Sequence, residues 1–220
     1  MKQNWKPGTL IYPLPAVLVS CGSTEDEYNL LTISWTGTIC SNPPMCYISV
    51  RKERHSYPIL VKNKAFVINL TTESMARATD WCGVRSGAKY DKWKEMNLTP
   101  EKAQLVNAPI IKESPLNIEC KVLEIKELGS HDMFIAEVVN VQADEQFMDA
   151  KTGEFKLSES KLIAYSHGNY YKLGEKIGVS ESTVVRFASA IGYEGYPQLQ
   201  KQLQEMVRTK LTTVQRIEMS

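Results

Sequence analysis

The sequence predicts a mainly β fold with peripheral helices, built around an antiparallel barrel. About six segments are rich in β-branched and aromatic residues, which favour strands. Short links join most of these segments, whereas parallel strands need long helical crossovers. The chain has 220 residues, of which 43% are apolar and 23% are charged, so it can bury a core. This length suits one domain with an appendage, or two small domains.

The first half of the chain is predicted to contain strands and short helices. Residues 10–22 form an apolar run that prolines interrupt before a strand begins. Residues 31–39 predict one buried strand, and residues 45–51 predict the next. The elements that follow are a short helix, a strand, a helix that ends at Gly83, and a short helix or turn, at residues 57–65, 66–70, 72–83 and 90–98.

The clearest pair of strands is a predicted hairpin of residues 116–125 and 133–143. Apolar and polar residues alternate at the start of its first strand, which predicts one face in the core and one face in water. The residues on the predicted water-facing side are Asn117, Glu119 and Lys121. The alternation slips at Val122 and Leu123, which predicts a β-bulge there.

Composition and motifs argue against several classes of protein. The formal net charge is +1, from 26 basic and 25 acidic residues, which is a poor basis for nucleic-acid binding. No segment has the pattern of a secretory signal or a membrane span, so we expect a cytoplasmic protein. Five cysteines without a C-x-x-C pair favour reduced thiols, and three scattered histidines predict no metal site. The glycine motifs of Rossmann and P-loop nucleotide sites do not occur.

The sequence TISWTG lies within the first predicted buried strand. Alternation places the hydroxyl groups of Thr32, Ser34 and Thr36 on one face and Trp35 on the other. Hydroxyl groups on a covered face need partners, which a ligand, a neighbouring strand or solvent can supply. The residues alone leave these interpretations open.

A basic segment precedes the first predicted helix. Arg51, Arg54, His55 and Ser56 come directly before Tyr57, where that helix is predicted to begin. Basic side chains, a hydroxyl group and free amides at a helix N-terminus are the groups that bind phosphate. The alternative interpretation is a solvated basic loop.

Two further positions could contact a ligand. The loop after Gly83 contains glycines together with Ser86, Lys89 and Lys92; its alternative interpretation is a helix cap and a polar turn. His131 lies in the turn of the predicted hairpin. A histidine in a turn is exposed, or it contacts a planar redox ligand.

Eight segments in a fixed order carry a family resemblance. They are AVLVSCG, NLLTISWTG, NPPMCYISVRKERHSY, FVINL, CGVRSGAKYDKW, APIIKESPLNIEC, ELGSHDMFIAEV and LIAYSHGNYYKLGEKIG. Together, over residues 5–178, they resemble the flavin reductase-like, FMN-binding split-barrel proteins, which include flavoredoxins.

The resemblance implies a homodimer that binds FMN at the dimer interface. It implies an NAD(P)H:flavin oxidoreductase or an electron carrier, with NADH or NADPH as donor and a redox protein as a further partner. The residues that it implies around the ring and ribityl chain are Thr32, Ser34, Trp35, Thr36 and Gly37. The implied contacts to the phosphate and the rest of the cofactor are Arg51, Arg54, His55, Ser56, Tyr57, Asn69, Ser86, Lys89 and Lys92. His131 is the implied catalytic residue, near the flavin face that the donor approaches.

The end of the chain has a second resemblance. Residues 174–200 resemble the turn and recognition helix of RpiR-type helix-turn-helix regulators, with Ser180 as the helix cap. The sequence offers no spare helix upstream, which such a domain needs. We therefore predict a split-barrel domain at residues 1–178 and a helical tail at residues 179–220. The tail packs as an appendage, or else the protein is a DNA-binding regulator; we do not expect nucleic-acid binding.

Overall fold

The computed structural model describes residues 1–173. The predicted boundary between residues 178 and 179, and the predicted helical tail, lie outside the described residues. Within the described part the elements are β1 (Leu14–Pro15), β2 (Val17–Cys21), β3 (Asn29–Ile33), β4 (Thr36–Ser41), β5 (Pro44–Val50), α1 (Ser56–Asn63), β6 (Ala65–Leu70), α2 (Ala76–Val84), α3 (Lys92–Glu95), β7 (Pro100–Lys102), β8 (Pro109–Ile111), β9 (Leu116–Glu127), β10 (Asp132–Ala143), β11 (Ile163–Ser166) and β12 (Asn169–Lys172). The prediction of a mainly β fold with peripheral helices is confirmed.

The main sheet has seven strands in the order β3-β2-β6-β9-β10-β5-β4, and all neighbouring strands are antiparallel. Strand β3 stands at one end of this order and β5 stands near the other end, yet the two strands are in contact. The sheet therefore curves around its core. This core includes four fully buried residues, Val19, Ile48, Phe66 and Phe134. Burial of such side chains stabilises the fold by about 1.5–3 kcal/mol each. The result is a split barrel, flanked by a three-stranded sheet, β1-β11-β12, and a two-stranded sheet, β7-β8.

The predicted strand 31–39 is wrong, because the chain breaks between β3 and β4. These two strands lie at opposite ends of the main sheet. At the break, the carbonyl oxygen of Trp35 accepts a hydrogen bond of 2.9 Å from the amide of Ser49. Thr32 donates its hydroxyl hydrogen to the carbonyl of Thr79, and Thr36 donates to the carbonyl of Tyr47 at 2.6 Å. The three hydroxyl groups therefore do not share one face.

The predicted hairpin and its bulge are confirmed. Strands β9 and β10 pair over nearly their whole length. Ile135 pairs with Glu124 and the next residue, Ala136, pairs with Val122, so Leu123 is left without a partner in the ladder. The turn between these strands carries His131.

The predicted water-facing side of β9 is wrong at two positions. Asn117 and Glu119 are buried, whereas Lys121 is exposed. The chain between β7 and β8 covers this part of the sheet, and its amides bond to the carboxylate of Glu119. The five donors to this carboxylate are the amides of Gln104, Leu105 and Val106, at 3.0, 2.6 and 3.1 Å, and the side-chain nitrogens of Asn140 and Gln142, at 2.8 and 2.9 Å.

The helices position the loops that surround one end of the barrel. Helix α2 packs against β3 through Ala78 and Cys82 and forms a second core with Leu30 and Trp93. None of the helices in residues 1–173 is both long and apolar enough to cross a membrane. All five cysteines are free thiols. In the same part of the chain, no group of three His, Cys, Asp or Glu side chains is arranged to hold a metal ion.

Candidate functional site

A two-part cleft lies where the break between β3 and β4 meets the loops around α1 and α2. Its larger part has a volume of about 440 Å³, and its smaller part has a volume of about 90 Å³. The two parts are adjacent, because both are lined by Leu31, Thr32, Arg54 and Gly83. The larger part alone is within the range of about 300–1,000 Å³ that is typical of small-molecule sites.

Lys92 is the central residue of the smaller part. Its side chain is buried, and Nζ donates to the carbonyls of Leu30 and Cys82, at 2.7 Å each. Within residues 1–173 it forms no ion pair with a carboxylate. Burial, with a smaller contribution from the nearby charge of Arg54, lowers the pKa of Lys92 to about 8. A buried cation without a counterion is suited to binding an anion.

The N-terminus of α1 lies at the same part of the cleft. The helix begins at Ser56, and no side chain caps its first turn. The amide of Tyr57 already donates to the carbonyl of Arg54 at 2.9 Å, and Pro58 has no amide hydrogen, so Ser56 is the residue of these three whose amide could bind an anion. The hydroxyl of buried Ser56 accepts a hydrogen bond of 2.6 Å from the side chain of Asn29, which comes from β3. Arg54 donates to the carbonyl of Gly83 at 2.9 Å and thereby links the loop before α1 to the end of α2.

The loop at Gly87 lies close against Asn29 in this pocket, and this approach requires a residue without a side chain. A Cβ atom at this position would lie 2.1 Å from Oδ1 of Asn29. The variant Gly87→Ala is therefore expected to displace Asn29 from Ser56 and to lower the free energy of unfolding by about 1–3 kcal/mol. Urea denaturation of the two proteins measures the difference.

Gly8→Ala is the matched control for this prediction. A Cβ atom at Gly8 would lie 3.8 Å from its nearest neighbour, a side-chain atom of Leu10, so it makes an ordinary contact. We expect this control to unfold like the wild type. If Gly87→Ala also unfolds like the wild type, the close approach of the loop to Asn29 is contradicted.

The larger part of the cleft has an aromatic wall made by Trp35 and His131. Their ring centroids are 4.5 Å apart and their planes are inclined by 38°. Nδ1 of His131 lies 3.0 Å from the hydroxyl oxygen of Ser130. Burial and the nearby charge of Arg51 lower the pKa of His131. The imidazole is therefore neutral at neutral pH.

A buried carboxylate fixes the turn that carries His131. The next residue, Asp132, accepts a hydrogen bond of 2.5 Å from the hydroxyl of Tyr57 and lies 3.4 Å from Nζ of Lys52. Lys52 also pairs with Glu127 at 3.1 Å, on the other side of the turn. These contacts join the basic loop before α1 to the hairpin, so the backbone of His131 is anchored on both sides.

Another part of the lining of the larger part comes from the hairpin of β11 and β12. Tyr165 and Tyr170 pair across this hairpin, with ring centroids 5.4 Å apart. Gly168 and Asp80 line the same part of the cleft. A planar ligand would therefore meet aromatic side chains at two places along the cleft.

The structure brings many of the predicted site residues together in this cleft. Those that line it are Thr32, Ser34, Trp35, Arg51, Arg54, His55, Ser56, Ser86, Lys92 and His131. It does not bring in Thr36 and Gly37, because the chain turns into β4 directly after Trp35. Tyr57 is directed towards Asp132 and packs its ring edge-on against Phe134, with centroids 5.6 Å apart.

Asn69 and Lys89 also lie outside the cleft. Asn69 is fully buried: its amide nitrogen donates to Leu18 and Ser20, and its oxygen accepts from Ile111 and Asn117. These four bonds use the whole hydrogen-bonding capacity of the amide, so none is left for a ligand. Lys89 is exposed and lines a neighbouring open groove.

Sequence reasoning missed several residues of the cleft. Asn29 stands at the start of a segment that carries the resemblance, but its bond to Ser56 depends on a contact between distant parts of the chain. Tyr165 and Tyr170 had a local signal. The signal is the pair His167-Gly168, because histidine and glycine tolerate the positive φ angles of a two-residue hairpin turn. The structure has such a turn, with φ angles of 48° and 83°, and it places Tyr165 opposite Tyr170.

The donor set fits a planar molecule that carries a phosphate group. The smaller part of the cleft offers a buried ammonium group, a guanidinium group and a helix N-terminus. The larger part offers aromatic walls and the backbone at the break between β3 and β4. Phosphorylated heteroaromatic cofactors combine these two needs.

Comparison with known proteins agrees with this chemistry. Residues 9–174 match the profile of the flavin reductase like domain, and residues 150–210 match that of a helix-turn-helix domain of the rpiR family. The structure is similar to the flavoredoxin of Desulfovibrio vulgaris (Miyazaki F), with 30% sequence identity and a TM-score of 0.76 over 83% of this chain and 99% of that chain. It is also similar to a flavoredoxin from Methanosarcina acetivorans, with 26% identity and a TM-score of 0.76 over 85% of this chain and 99% of that one.

The sequence is further similar to an FMN reductase (NADH) of Pantoea ananatis. The two are 20% identical over 118 residues, which are 52% of this chain and 58% of that relative. The second resemblance, to the rpiR helix-turn-helix, is also present, but it covers a minor part of the chain. The match to the flavin reductase like domain covers most of the chain and all of the residues that line the cleft. The chain therefore belongs to the flavin reductase like domain family.

Proposed function

We propose that this protein binds FMN in the two-part cleft and acts as an NAD(P)H-dependent flavin reductase or a flavoredoxin-type electron carrier. The observation that carries the proposal is buried Lys92, a cation that lies beside the N-terminus of α1 and has no carboxylate partner among residues 1–173. Family membership supports flavin-related oxidoreductase chemistry. We propose two further points: that the bound flavin is FMN, and that a nicotinamide nucleotide is the electron donor.

Different residues of the cleft would contact different parts of FMN. Lys92, Arg54 and Ser56 would hold the phosphate group, since they provide the positive charge and the hydrogen bonds at the closed end. Thr32, together with the break before Trp35, would contact the ring system in the larger part. When bound, FMN would supply the two-electron redox chemistry, and the protein would orient it and limit its contact with water.

His131 is proposed as the residue that faces the reacting part of the cofactor. Its imidazole is neutral, lies against Trp35 and lines the larger part of the cleft. Because Ser130 holds Nδ1, the other ring nitrogen is the one available to donate or accept a proton in the cleft. His131→Gln, which keeps a polar side chain but cannot titrate, would test this role through the pH dependence of cofactor reduction.

A homodimer is part of the proposal. Leu10 and Ile11 have 54% and 84% of their surface exposed, and they line an apolar groove of about 400 Å³ together with Trp35 and Tyr47. Covering such a surface with a second copy would remove apolar area from water. Because Trp35 lines both this groove and the cleft, the partner subunit would lie next to the cofactor. Sedimentation equilibrium measures the subunit number, and a monomer at all concentrations contradicts this part.

The second candidate function is DNA binding, and the match of residues 150–210 to an rpiR helix-turn-helix favours it. The described start of that match contains a short 3-10 helix at Leu157–Ser160 and the hairpin of β11 and β12. A helix-turn-helix needs a helix before its recognition helix, whereas the hairpin of β11 and β12 belongs to the sheet that flanks the barrel and lines the cleft. We therefore propose residues 179–220 as an appendage to the flavin domain at residues 1–178. Salt-sensitive retention on DNA would favour the alternative.

Anaerobic titration tests the proposed activity. FMN-loaded protein would be mixed with NADH or with NADPH, and the loss of the visible absorbance of oxidised flavin would be followed. We expect at least one of the two donors to reduce the bound flavin. Reduction by dithionite but by neither nicotinamide would exclude the reductase and favour an electron carrier that receives electrons from a protein.

A further inference from the structure

A hydrogen bond between Tyr57 and Asp132 joins the two parts of the cleft. Tyr57 directly follows Ser56, which lines the smaller part, and Asp132 directly follows His131, which lines the larger part. The hydroxyl of Tyr57 donates to Oδ2 of Asp132 at 2.5 Å. We infer that Tyr57 and Asp132 are positioning residues, which hold the ring of His131 against Trp35 and fix its place relative to the smaller part of the cleft. This role deepens the proposed function and rests on it, since His131 would face the reacting part of the flavin.

The turn between β9 and β10 has few contacts of its own to hold His131. Leu128, Gly129 and Ser130 are exposed, and a Cβ atom at Gly129 would meet no atom within 4 Å outside its chain neighbours. Across the turn, the amide of Leu128 donates to the carbonyl of His131 at 3.2 Å, at the long end of the normal range. An exposed turn of this kind opens readily unless contacts outside it hold it. The position of His131 therefore depends on Asp132, where β10 begins.

Asp132 is held through its backbone and through its side chain. Its backbone pairs with Val50 of β5 and with Glu127 of β9. Its side chain is fully buried, and Oδ2 lies 3.4 Å from Nζ of Lys52 in addition to its bond from Tyr57. Because Tyr57 belongs to the first turn of α1, this bond fixes the start of β10 relative to that helix.

The other oxygen of Asp132 indicates that this side chain does more than stabilise the fold. Oδ1 is buried and accepts no hydrogen bond from residues 1–173. A buried carboxylate with an unpaired oxygen costs free energy that an apolar side chain of similar size would not. Departures of this kind from the ordinary rules of packing are expected at functional sites. A role in placing His131 accounts for a carboxylate at this position.

Replacing Tyr57 with phenylalanine tests this role. The variant loses the hydroxyl group and keeps the ring, which packs edge-on against Phe134 with centroids 5.6 Å apart. NMR spectroscopy on the full chain without FMN follows the rings of His131 and Trp35, whose centroids are 4.5 Å apart in the wild type. We expect the nuclear Overhauser effect between these two rings to be lost in the variant, because the turn is released.

The pKa of His131 is a second readout in the same spectra. In the wild type, burial lowers this pKa, the charges of Arg51 and Arg54 also lower it, and the charge of Glu53 raises it. A released ring gains contact with water, so we expect the pKa of His131 to rise towards its ordinary value in the variant. Neither readout requires a bound flavin.

Two measurements on the FMN-loaded protein separate positioning from binding. We expect Tyr57→Phe to bind FMN with nearly the wild-type affinity, because the hydroxyl of Tyr57 is directed towards Asp132 and not into the cleft. We expect reduction of the bound flavin by NADH or NADPH to slow by about 10–100-fold, because a small displacement of a group at the reacting face has an effect of this size. Weaker binding of FMN with an unchanged rate of reduction would assign Tyr57 to the cofactor and overturn the positioning role.

The matched control is Tyr28→Phe, at a half-buried tyrosine that packs near Trp93 and does not line the cleft. It is expected to leave the signals of His131 and the rate of reduction unchanged. Asp132→Ala should displace His131 as Tyr57→Phe does, and the double variant should have no larger effect than Asp132→Ala alone, since both residues act through one bond.

The NMR result decides the positioning role independently of flavin chemistry. Unchanged signals of His131 in folded Tyr57→Phe overturn it, and Tyr57→Phe decides alone if Asp132→Ala does not fold. A wild type that takes up no FMN, together with a displaced His131 in Tyr57→Phe, supports the positioning of this ring and contradicts the proposed function.

Discussion

Replacing Lys92 with methionine is expected to weaken FMN binding by about 100-fold, because in the proposed complex Lys92 is the buried cation that contacts the phosphate group. Methionine has a similar length and fills the same space without a charge. Isothermal titration calorimetry with the purified proteins measures the two dissociation constants. A wild-type affinity in the variant would mean that the phosphate group lies elsewhere.

Lys94→Met is the matched control for Lys92→Met. It lies two residues further along α3, its side chain is 87% exposed, and it pairs with exposed Asp91 at 3.4 Å. We expect this variant to bind FMN like the wild type. The comparison separates a buried cation that contacts the ligand from the general charge of the loop, which salt screens.

The affinity of the wild type for FMN is expected to fall as the pH rises through about 8. Burial lowers the pKa of Lys92 to about 8 in the free protein, and only the protonated side chain attracts phosphate. A bound phosphate raises this pKa again, so binding at slightly alkaline pH takes up a proton. Titrations in two buffers with different ionisation enthalpies measure the proton uptake, which Lys92→Met should abolish.

Replacing Glu119 with glutamine is expected to lower the free energy of unfolding by about 3 kcal/mol. The carboxylate of Glu119 accepts five hydrogen bonds, three of them from backbone amides between β7 and β8. Glutamine keeps one oxygen and presents an amide nitrogen to donors that need an acceptor. Urea denaturation measures the loss, and Glu124→Gln, at an exposed position of the same strand, is the control.

The contribution of Glu119 is also expected to depend on pH. Burial alone would raise the pKa of this carboxyl, but the hydrogen bonds outweigh burial and lower it below its ordinary value. A lowered pKa means that the stabilisation is present above the ordinary pKa of about 4.3 and is lost as the pH falls through the lower folded value. Glu119→Gln should therefore unfold with a weaker dependence on pH in acid than the wild type, and an equal dependence would contradict this assignment.

Glu119 also shows why part of the fold could not be predicted. Alternation along β9 predicts the hairpin, because each side chain in a strand faces the side opposite to its neighbours. The prediction of a water-facing side fails because the covering chain supplies backbone amides, which are the same for every sequence and leave no pattern. The break at Ser34 and Trp35 also leaves no pattern in the sequence. β-Branched and apolar residues continue across it, and only the closure of the barrel separates β3 from β4.

The candidate site was predictable where its residues are close in sequence. Arg51, Arg54, His55 and Ser56 come together because one loop carries them to the start of α1. Tyr165 and Asp80 were missed, since the wall that they form depends on a late hairpin meeting an early helix. Asn69, which the family resemblance implies at the cofactor, lies instead in a buried network of hydrogen bonds outside the cleft.

Titration of the purified protein with FMN and with riboflavin tests the central claim most directly. The two ligands share the ring system and differ in the phosphate group, so their affinities report on the pocket around Lys92. We expect FMN to bind at least about 100-fold more tightly than riboflavin, and we expect Lys92→Met to remove most of this difference. Equal affinities for the two ligands, or no binding of either, would contradict the assignment of this cleft as an FMN site.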